Sequence, residues 1–96
     1  MREWLKDLSG DERRVIGEDI SRVEFRWPKV GLPLVRSLGR DLWEVRSSLP
    51  NGTISRVIFC PYENQMFLLH GFIKKTQKTP AREIDLALKR LKESQQ

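Results

Sequence analysis

The chain has 96 residues, 39% hydrophobic and 32% charged, a balance that fits one globular domain over residues 1–96 with a single modest core and excludes a disordered tail. No apolar run approaches the roughly 18 residues of a membrane span, and the charged opening MREWLKDLSGDERR has no signal-peptide core, so a cytoplasmic protein with no membrane partner is expected. Cys60 is the sole cysteine and His70 the sole histidine, which excludes an internal disulfide and most metal sites; neither a metal nor a small-molecule cofactor is expected.

Trp4, Leu5 and Leu8 suggest a short opening helix ended by Ser9-Gly10. Ser9 followed by Glu12 matches a capping box, so a second helix is expected to start there. Ile16, Ile20, Val23 and Trp27 give it a core-facing stripe, and Pro28 closes it. Residues 28–41, with Pro28, Gly31, Pro33 and Gly39, read as a loop holding one apolar anchor, Leu32 to Leu38. Three strands are expected next: LWEVRSS (42–48), TISRVIFC (53–60) after an Asn51-Gly52 hairpin signal, and QMFLLHGFI (65–73) after a turn at PYEN. Thr79 as N-cap and Pro80 at the first helical position open a last helix, with Ile84, Leu88 and Leu91 as its apolar stripe. The predicted architecture is α+β, two N-terminal helices packed on a small antiparallel β-sheet with a C-terminal helix.

The net charge of +5 is concentrated in one place. Residues 74–92 carry Lys74, Lys75, Lys78, Arg82, Lys89, Arg90 and Lys92 against Glu83 and Asp85, and the rest of the chain is balanced. Such asymmetry points to a polyanionic partner. Strand parity adds to it. Trp43, Val45, Val57, Phe59, Phe67, Leu69 and Ile73 fall on one side, an apolar face for the helices. Glu44, Arg46, Arg56, His70 and Lys74 fall on the other, with Leu68 and Phe72.

Guanidinium forks match phosphate oxygens, and lysine is a compact mobile charge, so this second face suits phosphodiester chemistry. Cleaving RNA needs a base for the 2′-OH, a donor for the leaving 5′-oxygen and cations at the crowded phosphate. Glu44 or His70 offers the base, and a lysine of lowered pKa such as Lys74 the acid. Each has a structural alternative: Arg56, flanked by apolar residues, pairs with Glu44 or with an external phosphate, Glu44 serves equally as that structural partner, and a histidine placed like His70 is more often a hydrogen-bonded core residue than a base.

The runs PLVRSLGRDLWEVRSS, ISRVIF and LLHGFIKKTQKTPAREIDLALKR combine a PLV-x-x-LG lead-in, an LWE-x-R strand, Arg56 before an apolar run, and a GF-x-KK-x-x-K-TP block. In that order and spacing the chain, from residue 9 to about residue 92, resembles the phage Gp49-like or HigB branch of the RelE/ParE toxin superfamily. The resemblance implies a RelE-like toxin of a type II toxin–antitoxin system: a ribosome-dependent, metal-free endoribonuclease (an mRNA interferase) that inhibits translation. It implies Arg46 and Arg56 as phosphate contacts, Lys74, Lys75 and Lys78 as the basic block with Arg82 beyond it, and ribosome, mRNA and a helix-turn-helix antitoxin as partners. Arg56, Lys74, Glu44 and His70 are the candidate catalytic set. Two departures stand out. The chain begins at MREWLKDLSGDE, where relatives carry an additional N-terminal strand, so an exposed sheet edge is expected. Leu42 and Glu44 stand where some members carry lysines, and Ile84 falls near a tyrosine's place, which leaves base and acid open. The alternative is a non-catalytic decayed toxin or RNA-binding module that binds an antitoxin without cleaving RNA.

Overall fold

The computed structural model describes the chain apart from residues 1, 30, 32, 33, 51, 64, 75–77, 95 and 96 and the side chains at 2 and 74. Helices α1 (Arg2–Lys6) and α2 (Gly10–Arg26) lead into strands β1 (Val35–Gly39), β2 (Leu42–Ser48), β3 (Ile54–Tyr62) and β4 (Gln65–Lys74), and helix α3 (Ala81–Ser94) follows. The strands form one antiparallel sheet in chain order. The expected α+β architecture, with helices before the sheet and one after it, is what the chain forms.

Local chemistry explains the N-terminal half. The Ser9 hydroxyl accepts from the Glu12 amide while the Glu12 carboxylate accepts from the Ser9 amide, closing the expected capping box. Ile16 and Val23 of α2 are fully buried. At its end Trp27 packs edge-on against Trp43 at 5.0 Å and Phe59 at 5.5 Å. These residues join Val35, Val45 and Val57 in a core between the helical pair and the first sheet face. The second core, between α3 and the opposite face, holds Leu42, Ile58, Cys60, Leu69, Phe72 and Ala87.

Three expectations need correction. Residues 35–39 are a strand rather than loop, so the sheet has four strands. A tight turn allows this: Gly39, Arg40 and Asp41 have φ of 83°, 54° and 63°, and two consecutive left-handed residues match the right-handed twist of a two-residue hairpin. Of the expected anchor, 32 and 33 lie outside the described residues, as do Asn51 and Asn64 of the two hairpin signals. The second correction concerns β4, whose register shifts opposite Ile58/Phe59. One extra residue flips parity beyond that point, so Phe67 pairs with Cys60 and Leu69 enters the α3 core, while Leu68 packs with the helical pair. Thirdly, the Thr79 hydroxyl does not cap α3; it donates to Glu44. Pro80 O accepts the first bonds of the helix, from the Glu83 and Ile84 amides.

Both outer strands have one neighbour among the described residues, so β1 and β4 are edges. On the first face of β4, Trp4 of α1 lies directly over Gly71, so close that a Cβ there would meet its ring at 2.5 Å. No described helix is long and apolar enough to cross a membrane.

Candidate functional site

The pairing register decides which charged groups meet. Arg36 on β1 stands opposite Glu44 on β2, and Arg46 stands opposite Arg56 on β3. Arg56 in turn faces Phe72 on β4. Side chains directly opposite in a sheet share a face, so Arg36, Glu44, Arg46, Arg56 and Phe72 form one patch beside the sheet area roofed by α3.

At its centre lies a buried ion pair. Arg56 and Glu44 are both 0% exposed, with Arg56 Nε 3.9 Å from Glu44 Oε2. The Thr79 hydroxyl donates to that same carboxylate oxygen, which ties the entry of α3 to β2. The Phe72 ring centroid lies 5.9 Å from the Arg56 guanidinium carbon, within cation–π range. Glu44 Oε1 is buried with no hydrogen-bond partner among the described residues. Burial pushes the Arg56 pKa down; Glu44 opposes that shift, and the positive charges of Arg46 and Arg36 add to it. Lost hydration therefore outweighs the single carboxylate, an arrangement typical of buried pairs that break even at best.

His70 sits one turn of the pleat from Phe72 and stacks on it, with centroids 5.8 Å apart and rings tilted by 28°. Its Nδ1 lies 3.0 Å from Arg90 Nη1. Arginine only donates, so Nδ1 accepts and the proton resides on Nε2, which lies 3.3 and 3.4 Å from the Glu83 carboxylate oxygens. Arg90 Nη1 also donates to Leu69 O at 2.9 Å. These contacts fasten α3 to β4 and occupy both ring nitrogens.

The structure thus brings Glu44, Arg46 and Arg56 together, and leaves His70 in a neighbouring network linked to them through Phe72. Lys74 ends β4 opposite Ile54, with its side chain outside the described residues, as is the whole of Lys75. Lys78 and Arg82 are exposed at the entry of α3. Arg36 is absent from the residues expected at the site because its segment reads as loop. The signal was the alternation Val35-Arg36-Ser37-Leu38 before a turn-prone Gly39-Arg40-Asp41. Among the described residues no group of three His, Cys, Asp or Glu side chains could hold a metal ion.

A helix-backed antiparallel sheet with an arginine-rich patch over a buried carboxylate defines a small α+β protein. The chain belongs to the phage-derived protein Gp49-like family (DUF891), whose profile matches residues 3–92. That family is toxin-like, and membership suggests the toxin of a toxin–antitoxin pair with an antitoxin as partner. No curated protein matches the chain.

Proposed function

We propose that residues 1–96 form one toxin domain of the RelE/HigB type, acting in the cytoplasm as a ribosome-dependent mRNA endoribonuclease, with a helix-turn-helix antitoxin as its inhibitor. The observation that carries the reading is the half-buried Arg46 and the exposed Arg36 flanking buried Arg56 on one sheet face, with exposed Lys78 and Arg82 at the entry of α3. Cations converging on one face bind a phosphodiester backbone with little regard to sequence. In the proposed reaction the 2′-oxygen attacks phosphorus and gives its proton to a base. The 5′-oxygen leaves with a proton from an acid, which yields a 2′,3′-cyclic phosphate and a 5′-OH. Arg46, Lys74, Lys75, Lys78 and Arg82 hold phosphates, Arg56 lies buried beneath them and reaches the reacting phosphate only once its pair with Glu44 opens, and Glu44, His70 and Lys74 are the proton-transfer candidates. For Glu44 to act, its buried Oε1 must be uncovered, because Thr79 donates only to Oε2.

A second reading, binding without cleavage, is favoured by a separate observation. Glu44 is fully buried and both His70 nitrogens are engaged, so neither presents a lone pair to a 2′-OH in this conformation. One experiment separates the two: ribosomes holding a defined mRNA receive the purified chain, and new 5′ ends are mapped by primer extension. Cuts in the decoding-site codon that vanish without ribosomes support the nuclease. An uncut message with RNA still bound selects the binding module.

A further inference from the structure

Beside the arginine patch, a cleft of about 560 Å³ separates α2 from the hairpin end of β2 and β3. Val15, Glu18, Asp19 and Arg22 line its helical wall. These positions are three, four and seven apart, so they present one continuous face of α2. Leu34 and Ile54 add apolar surface from the sheet side, and Arg46 contributes its charge there. Asp19 is unusual for a helix surface: its side chain is only 12% exposed, and it is held by Arg22, whose Nη1 lies 3.1 Å from Oδ1. The volume lies within the range of small-molecule sites, which combine apolar walls with a few fixed polar groups.

We propose that this cleft reads a guanine base of the bound RNA. The inference rests on the RNA-contact reading of Arg46 given above, and it adds a base preference to it. Unstacked bases are recognised by hydrogen bonds along their Watson–Crick edges. Guanine alone presents two adjacent N–H donors there, N1–H and N2–H, and so satisfies a carboxylate with two bonds. Adenine and cytosine place a ring-nitrogen acceptor against that carboxylate, and uracil flanks its single N–H with two carbonyls. Asp19 is the carboxylate fixed in place by Arg22, Val15 and Ile54 offer apolar surface to the ring, and Arg46 meets the 5′-phosphate. A site built on a helix and strand ends holds such geometry better than one built on loops.

The test needs neither ribosome nor cleavage. The ¹⁵N-labelled chain is titrated with each of the four nucleoside 5′-monophosphates while amide shifts are followed. Guanosine monophosphate is expected to move the Asp19 and Ile54 amides, with the other three binding at least tenfold more weakly. Asp19→Asn, which replaces one acceptor by a donor, is expected to abolish that preference while leaving phosphate-dependent shifts near Arg46. Equal responses to all four nucleotides would reduce the cleft to a phosphate contact and overturn the base assignment, and so would the absence of shifts at Asp19 and Ile54. Because the unmodified chain already decides between these outcomes, a misfolded variant cannot obscure the answer. An uncut mRNA in the ribosome assay would sink the nuclease reading and leave this result standing.

Discussion

Gly71→Ala tests how tightly α1 is keyed to the site strand. The added Cβ would lie 2.5, 2.6 and 2.9 Å from Cζ3, Cε3 and Cδ2 of Trp4, whereas carbon atoms settle at about 3.5–4.0 Å. Ring and strand must therefore part by about 1 Å. Overpacking of this kind costs about 1–3 kcal/mol. Either the indole leaves its seat, or β4 bows and carries His70 and Phe72 with it. The opposite sign holds once the ring is gone. In a Trp4→Ala background these three ring contacts are gone, and alanine replaces a strand glycine that is worth about 0.5–1 kcal/mol less. The coupling energy in a double-mutant cycle is then about 1.5–4 kcal/mol, the sum of the two effects. Urea unfolding followed by circular dichroism measures all four variants without relying on tryptophan emission. Equal destabilisation by Gly71→Ala in both backgrounds would refute the steric account and point to a backbone requirement at position 71.

Further expectations follow from the charged groups. Glu44→Leu removes the carboxylate paired with buried Arg56 and should cost about 3–5 kcal/mol in urea unfolding; a loss under about 1 kcal/mol would mean that other contacts carry the guanidinium. Arg46→Ala, at a half-buried strand position, should keep the fold, weaken RNA binding across all sequences and lower the slope of log K against log salt by about 1. Arg90→Ala releases both Leu69 O and His70 Nδ1, so amide exchange in α3 should quicken ahead of global unfolding; unchanged α3 protection would count against the fastening role. Burial, with Asp41 adding to it, pushes the Cys60 thiol up. The folded chain therefore holds that proton longer than the unfolded one, and this contribution to stability is present below about pH 8.5 and lost as pH rises through the higher folded value. Alkylation at pH 8 should be slow until denaturant is added; rapid labelling of the native chain would contradict it.

Most of the scaffold was readable because its determinants are local. The Ser9–Glu12 box marks the start of α2, and β2 runs over the expected residues 42–48. Strand β1 was hidden because Gly31, Pro33 and Gly39 punctuate a segment whose strand is only five residues long. The bulge in β4 left no trace for a different reason: Leu68 and Leu69 are both leucine, so a one-residue slip changes which core each enters without changing the pattern. At the site, the shared face of Glu44, Arg46 and Arg56 follows from alternation and hairpin register. The partners Thr79, Glu83 and Arg90 do not, because they depend on which sheet face α3 covers, and nothing in its own periodicity tells it.

Arg46 and Arg56 face each other across neighbouring strands, and the fold holds these like charges together beside the Glu44 carboxylate. Such repulsion is a spring kept compressed by the rest of the sheet. Any polyanion that neutralises the patch relaxes it, so occupancy and melting temperature must rise together, by RT ln(1 + [L]/Kd) in free energy. Heparin, chemically unrelated to RNA yet equally anionic, should raise the melting temperature, and salt should erase the gain. The empty protein is then the least stable form it adopts, and an anion that covers the arginines would also set how long the chain survives.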